Sequence, residues 1–341
     1  MLFVPPIPPL KFVALQSLTI DFHRSVSEEA LLEEAIECLN SNRVDPKFLY
    51  ITPRQAELWR QVFLQHSPFQ ANTEFTRIYR EAFGRALSGF FLEKVFLVGL
   101  GCGTGVKELE LAASLKNRDQ DVLFSAIDVS RDLVEESAQK LADAGATHRR
   151  SLVCDLGQTA FLGEWLDHVE SEIPRLITFF GLAPNLAPSL LARLFRAILR
   201  PGDILLASAH LAPVNNESPD ELRSAMETVL PQYDNPATLA WLASALESWE
   251  LENLLHPPAM HIGQVEGIPA FVASAKWKTN APFERWDHRF TPSEEEPLLV
   301  FYSLRYTPRR FADVLLKEGF SVELLSITSC RQEAIWSVRI P

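Results

Sequence analysis

The residues best placed to do chemistry are three glycines and two acids. Gly101-Cys-Gly103-Thr-Gly105 follows an apolar run and precedes a helical stretch. Glycines at such a junction let the chain turn sharply and let its backbone come close to a ligand. Asp128 lies 23 residues beyond Gly105, at the end of the next apolar run. A carboxylate there can accept hydrogen bonds from both hydroxyls of a ribose. Asp155 closes the third run on the same edge. Together these features point to nucleoside binding, whereas the glycines alone would mark only a tight turn. The spacing departs from the dinucleotide fingerprint G-x-G-x-x-G: counted from Gly99 its last place is Thr104, and counted from Gly101 it is Val106. The histidines show no H-E-x-x-H spacing, and Cys38, Cys102, Cys154 and Cys330 form no C-x-x-C pair. No bound metal is expected.

The elements that must hold these residues alternate. Apolar runs at 94–100, 121–128, 151–154, 175–181 and 203–209 read as strands, with helical stretches between them. Alternation of this kind predicts a parallel sheet covered on both faces, with ligands at the carboxyl ends of its strands. Residues 25–40, 53–66 and 72–88 read as helices ahead of the sheet, the first capped by Ser25 or Ser27. Beyond Pro213 the alternation stops. Residues 218–256 look mainly helical, and 268–278, 285–291 and 298–306 look like strands. Pro308 opens a helix to about Gly319. The runs 320–328 and 333–340, separated by Ser329–Gln332, predict an antiparallel hairpin.

Composition narrows the partners. The net charge of −12 argues against nucleic acid, which needs clustered Lys and Arg. No apolar run reaches the ~18 residues of a membrane span. The start, MLFVPPIPPLKFVALQ, is broken by four prolines and has no basic leader; it reads as an extended surface arm rather than a signal peptide. The cysteines read as buried free thiols of a reducing, cytoplasmic compartment.

The G-x-G-x-G spacing, the second acid and the final hairpin resemble the class I S-adenosylmethionine-dependent methyltransferases over about residues 90–211 and 301–341. Several segments resemble, more narrowly, the histidine-specific N-alpha methyltransferase family of the ergothioneine pathway. They are Gly101-Cys-Gly-Thr-Gly-Val-Lys107, Ile127-Asp-Val-Ser130, Phe180-Gly-Leu-Ala-Pro-Asn185-Leu, Leu199-Arg-Pro-Gly-Asp203, Tyr233-Asp234 and Tyr302-Ser303-Leu-Arg-Tyr306. The resemblance implies an α/β fold: a Rossmann-like class I methyltransferase sheet with a C-terminal antiparallel hairpin, plus a smaller α+β substrate domain. It places the cofactor-binding domain in 61–212 and 301–341, and a discontinuous substrate-side domain in 1–60 and 213–300. It implies S-adenosyl-L-methionine as cofactor, contacted by Gly101, Gly103, Gly105, Lys107, Asp128, Asp155 and Leu156. Lys107 would meet the cofactor's carboxylate; Asp155, or the backbone at Leu156, would read the adenine edge.

On the substrate side the resemblance points to Tyr50, Asn185, Tyr233, Phe301 and Ser303. Asn185 and Tyr233 are the expected catalytic pair. The Asn185 amide oxygen can accept from an amine, and Tyr233 would orient the amine or bind a carboxylate. The departures carry equal information. Phe301 stands where the family has the acid that recognises an imidazole, Ile51 replaces the second of a tyrosine pair, and Gly99 replaces an acid. A site lacking its polar recognition group loses discrimination on the order of 10⁴-fold. The expectation is methyl transfer to a small molecule, the amine of an amino acid or related compound, with histidine itself disfavoured. An O-acceptor and a non-catalytic binding protein are the alternatives.

Overall fold

Lys94–Leu100 is buried at every position after the first, as befits a strand covered on both faces. The computed structural model describes residues 18–88, 92–214 and 218–341; the Pro-rich arm at the start lies outside them. The described chain begins with a short strand β1 (Ile20–Phe22) and helices α1 (Glu28–Asn40), α2 (Pro53–His66), α3 (Pro68–Ala71) and α4 (Thr73–Ala86). The alternating region follows: β2 (Lys94–Leu100), α5 (Val106–Lys116), β3 (Asp121–Asp128), α6 (Arg131–Asp143), β4 (Thr147–His148), β5 (Ser151–Val153), α7 (Thr159–Val169), β6 (Arg175–Phe180), α8 (Pro188–Ile198) and β7 (Ile204–His210). Next come α9 (Pro219–Val229), α10 (Pro236–Ser248), β8 (Ala259–Val265), β9 (Ile268–Ala275), the small hairpin β10 (Phe283–Arg285) and β11 (His288–Phe290), and β12 (Leu298–Leu304). The chain closes with α11 (Pro308–Lys317), β13 (Ser321–Ile327) and β14 (Glu333–Arg339).

The large sheet runs β1-β5-β3-β2-β6-β7-β14-β13, with β4 beside β3. Its first six strands are parallel, and β14 is antiparallel to both β7 and β13. This is the Rossmann-like methyltransferase sheet with its C-terminal hairpin. The strand order reverses between β2 and β6, so a crevice opens at the carboxyl end of β2. Separate apolar clusters fill the two faces of the sheet. A third lies between α1, α10 and a smaller antiparallel sheet of order β12-β9-β8.

The structure differs from the sequence reading in five places. The run expected as one strand over 285–291 is the hairpin β10–β11, because Trp286 and Asp287 turn the chain at positive φ. Strand β1 pairs in parallel with β5, so the N-terminal residues Ile20–Phe22 belong to the large sheet and not with the substrate-side elements. The expected boundary at 300/301 falls inside β12, whose Phe301 pairs with Ala273 of β9; this strand completes the smaller sheet. The sequence gives no sign of strand β8, which lies at a sheet edge, half exposed, with no apolar run to mark it. Cys330 is exposed, unlike the three buried cysteines, because it sits in the turn of the terminal hairpin.

Candidate functional site

At the carboxyl end of β2 the chain turns through Gly101, Gly103 and Gly105 at φ of +62°, +49° and +69°, a region side-chain-bearing residues rarely adopt. A Cβ on Gly103 would lie 2.7 Å from the indole of Trp59, so glycine is required there for space as well as for conformation. Trp59 is carried by α2. That helix starts at a capping box in which the Thr52 hydroxyl accepts from the Gln55 N–H and the Gln55 side chain accepts from the Thr52 N–H.

Asp128 ends β3 beside this loop. Its two carboxylate oxygens accept from the backbone N–H groups of Gly103 at 3.1 Å and Ser130 at 3.0 Å. Burial pushes its pKa up, and these N–H groups oppose the rise. Each oxygen keeps a second lone pair for a ligand hydroxyl. Lys107, in the first turn of α5, is largely buried, its side chain 14% exposed. Its ammonium donates to the Tyr79 hydroxyl at 2.7 Å, lies 3.8 Å from Glu333 and sits over the Tyr79 ring. Burial lowers its pKa, against the pull of Glu333.

Asp155, past β5, pairs with Lys47 at 2.7 Å and accepts from the Gly157 N–H. Lys47 also bonds Glu34, so α1 and the turn after it are tied to the carboxyl edge of the sheet. Leu156 lies beside Gly101. Asn185 ends a one-turn helix after β6, and Tyr233 ends another after α9. The Tyr233 ring packs on Phe271 and under the Arg305 guanidinium, which is 4.4 Å from its centroid. Among the described residues, neither the Asn185 amide nor the Tyr233 hydroxyl has a hydrogen-bond partner. Tyr50 is partly buried among other rings, and desolvation holds its phenol protonated, helped by the charge of Asp128. Phe301 and Ser303 stand two residues apart on β12, both nearly inaccessible to solvent.

All twelve residues singled out from the sequence, namely the three loop glycines, Asp128, Asp155, Lys107, Leu156 and the five substrate-side residues, line one cavity of about 550 Å³. The cavity also contains residues the sequence reading missed. His210, at the last position of β7, is surrounded by Lys107, Arg305 and Glu333; burial first, then the two cations, push its pKa down to about 4. Its signal was present, a histidine ending the fifth apolar run. Trp59, Trp241 and Lys47 line the same space. Nothing in their local sequence separates them from ordinary core or surface residues. Among the described residues no cluster of His, Cys, Asp or Glu is arranged to hold a metal, and no helix is long and apolar enough to cross a membrane.

The cradle suits a nucleoside with an amino-acid tail. The positive-φ glycines admit close backbone contact, Asp128 offers free lone pairs, and Lys107 presents a buried ammonium for a carboxylate.

Solved structures similar to this chain include three at low identity. One is the S-adenosylmethionine-dependent methyltransferase from Bacteroides fragilis in complex with S-adenosyl-L-homocysteine, 14% identical over 78% of this chain and 81% of that one, with a TM-score of 0.36. Another is the plantazolicin methyltransferase BpumL, also solved with S-adenosyl-L-homocysteine, 12% identical over 91% and 99%, with a TM-score of 0.40. A third is a possible exported protein from Bordetella parapertussis, 15% identical over 82% and 72%, with a TM-score of 0.45. No curated protein matches the chain in sequence. A family model described as histidine-specific methyltransferase, SAM-dependent, matches residues 31–331. With that match spanning most of its length, the chain belongs to the S-adenosylmethionine-dependent, histidine-specific methyltransferase family, and its cofactor is S-adenosylmethionine.

Proposed function

We propose that the protein methylates the amine of a small molecule, an amino acid or a related compound. The observation that carries this reading is the pair of unclaimed polar groups, the Asn185 amide and the Tyr233 hydroxyl, in the same cavity as the glycine loop and Asp128. S-adenosylmethionine supplies a methyl group already activated on a sulfonium, so what the chain must contribute is alignment and exclusion of water.

Gly101, Gly103 and Gly105 cradle the cofactor, Asp128 holds its ribose, Lys107 its carboxylate, and Asp155 or the Leu156 backbone its adenine edge. Asn185 accepts an N–H from the acceptor and turns its lone pair toward the methyl group. Tyr233 orients the amine or its carboxylate. An ammonium has no lone pair, so the acceptor must bind or become neutral. The cations Lys107 and Arg305 near His210 disfavour a further positive charge there. The N-terminal helices and the 213–300 segment close over the acceptor.

The test is a thermal-shift titration with S-adenosylmethionine and S-adenosylhomocysteine, followed by an amine panel read by mass. Gain of one methyl mass on an amine nitrogen is the expected result. Methyl found on oxygen would replace the amine reading. A cofactor shift with no mass gain on any amine would leave a binding protein without this activity.

A further inference from the structure

Behind Lys107, off the cavity wall, lies a buried polar network that the methyl transfer itself does not call on. Three rings surround the ammonium first. Phe69, Tyr79 and Phe180 stand with centroids 5.3, 4.6 and 5.8 Å from Nζ. They come from α3, α4 and β6. A ring face attracts a cation, yet rings alone return little of the hydration that burial removes.

Polar groups complete the seat. Tyr79 and Glu333 are each 1% exposed. The Tyr79 hydroxyl accepts from Nζ at 2.7 Å, and a Glu333 carboxylate oxygen lies 3.8 Å from Nζ. The hydroxyl has one proton to give and a carboxylate can only accept, so Tyr79 donates to Glu333, 2.5 Å away. Ser208, 2.7 Å from the same hydroxyl, accepts from the Gly181 N–H and keeps its own proton for the Tyr79 oxygen. The hydroxyl that meets Lys107 is thus fixed from α4, β7 and β14 at once. The lysine side chain is 14% exposed and lines the cavity, which leaves a donor for a ligand.

The charge balance follows from the same groups. Burial disfavours the ammonium, and Glu333 on β14 and Glu108 on α5 oppose that effect, Glu333 more strongly. Glu108 is already bound to the Thr178 hydroxyl of β6, and His210 on β7 is neutral.

We infer that Tyr79 and Glu333 are positioning residues for the cofactor: they hold the Lys107 ammonium in place and balance its charge, so that the cavity recognises the carboxylate of the cofactor's amino-acid tail. The inference rests on the assignment of that carboxylate to Lys107 above and adds what makes the lysine competent for it.

Calorimetry on the full chain with two probes separates the tail from the nucleoside: S-adenosylhomocysteine, and 5′-methylthioadenosine, which lacks the amino-acid tail. Tyr79→Phe and Glu333→Gln nearly preserve the size of each side chain. Each should weaken S-adenosylhomocysteine about tenfold and leave 5′-methylthioadenosine within about twofold of the parent. In Glu333→Gln the loss relative to the parent should grow from about pH 7 to about pH 9, because a buried lysine without its anion gives up its proton at lower pH. The tail-less probe should show no such trend. Lys107→Met should weaken S-adenosylhomocysteine at least as much as either variant. Unchanged affinity in Lys107→Met removes the assignment and the inference together. Weakening in Lys107→Met alone, with Tyr79→Phe and Glu333→Gln binding like the parent, defeats the inference and leaves the assignment. Equal loss of both probes in Tyr79→Phe and Glu333→Gln makes the network a purely structural one and also overturns the inference.

Discussion

Asp128 and His210 both end parallel strands, but only the first was recognisable from its neighbours. Asp128 offers its remaining lone pairs beside the glycine loop. Asp128→Ala should therefore abolish the rise in melting temperature that S-adenosylmethionine produces in the unsubstituted protein; a retained shift would refute the ribose assignment. His210 yields a pH prediction. Its pKa in the fold is about 4, below the ordinary 6.5, so the unfolded chain takes up a proton at higher pH than the folded one. The contribution is full above 6.5 and is lost as pH falls toward 4. Urea midpoints measured across that window should fall less steeply in His210→Asn than in the parent. Sequence could place a histidine at the strand end, but not the burial that chiefly keeps it neutral or the two cations that help, since Lys107 and Arg305 come from other parts of the chain.

Strands β6 and β7 are fastened at their amino ends by one acid. Asp203 accepts from the Arg175 backbone N–H at 2.8 Å, from its guanidinium at 2.9 Å and from the Arg200 N–H at 3.1 Å, with no exposed side-chain surface. Asp203→Ala would leave the buried Arg175 guanidinium with only the exposed Asp167 as counter-ion, so the urea-derived stability should fall by about 3 kcal/mol. A loss under 1 kcal/mol, on the order of an exposed pair, would contradict the buried-pair reading. The strands and helices of the large sheet were legible because each is a local pattern: a continuous apolar run, a proline opening a helix, a glycine after the strand. Strand β1 was not, since three residues carry too little pattern and its identity depends on pairing with β5.

Helix α1 and the turn after it are held against the large sheet partly by Lys47. It lies in the turn following α1, is almost fully buried, and joins Glu34 to Asp155 at the carboxyl edge of the large sheet. Replacing it with methionine keeps the stem and removes the charge that both acids share. Lys47→Met should cost about 2 kcal/mol of stability and should weaken S-adenosylhomocysteine binding as well, because Asp155 is released at the cofactor edge. Thermal melts with and without that ligand measure both effects. Unchanged ligand affinity alongside a lowered melting temperature would confine Lys47 to a structural role.

The sequence by itself determined the parallel sheet, its terminal hairpin, the glycine turn and the acids at the strand ends. Each follows from short-range rules of burial period and backbone conformation, which neighbouring residues express wherever the chain folds. The tertiary structure alone decided that Phe301 belongs to a smaller sheet, that Trp59 rests on Gly103, and that Tyr50, Trp241 and Phe301 form one aromatic wall. Those residues lie far apart in the chain. Which face a ring presents depends on the register of β12 against β9 and on the packing of α2 against α10, relations that no local pattern encodes.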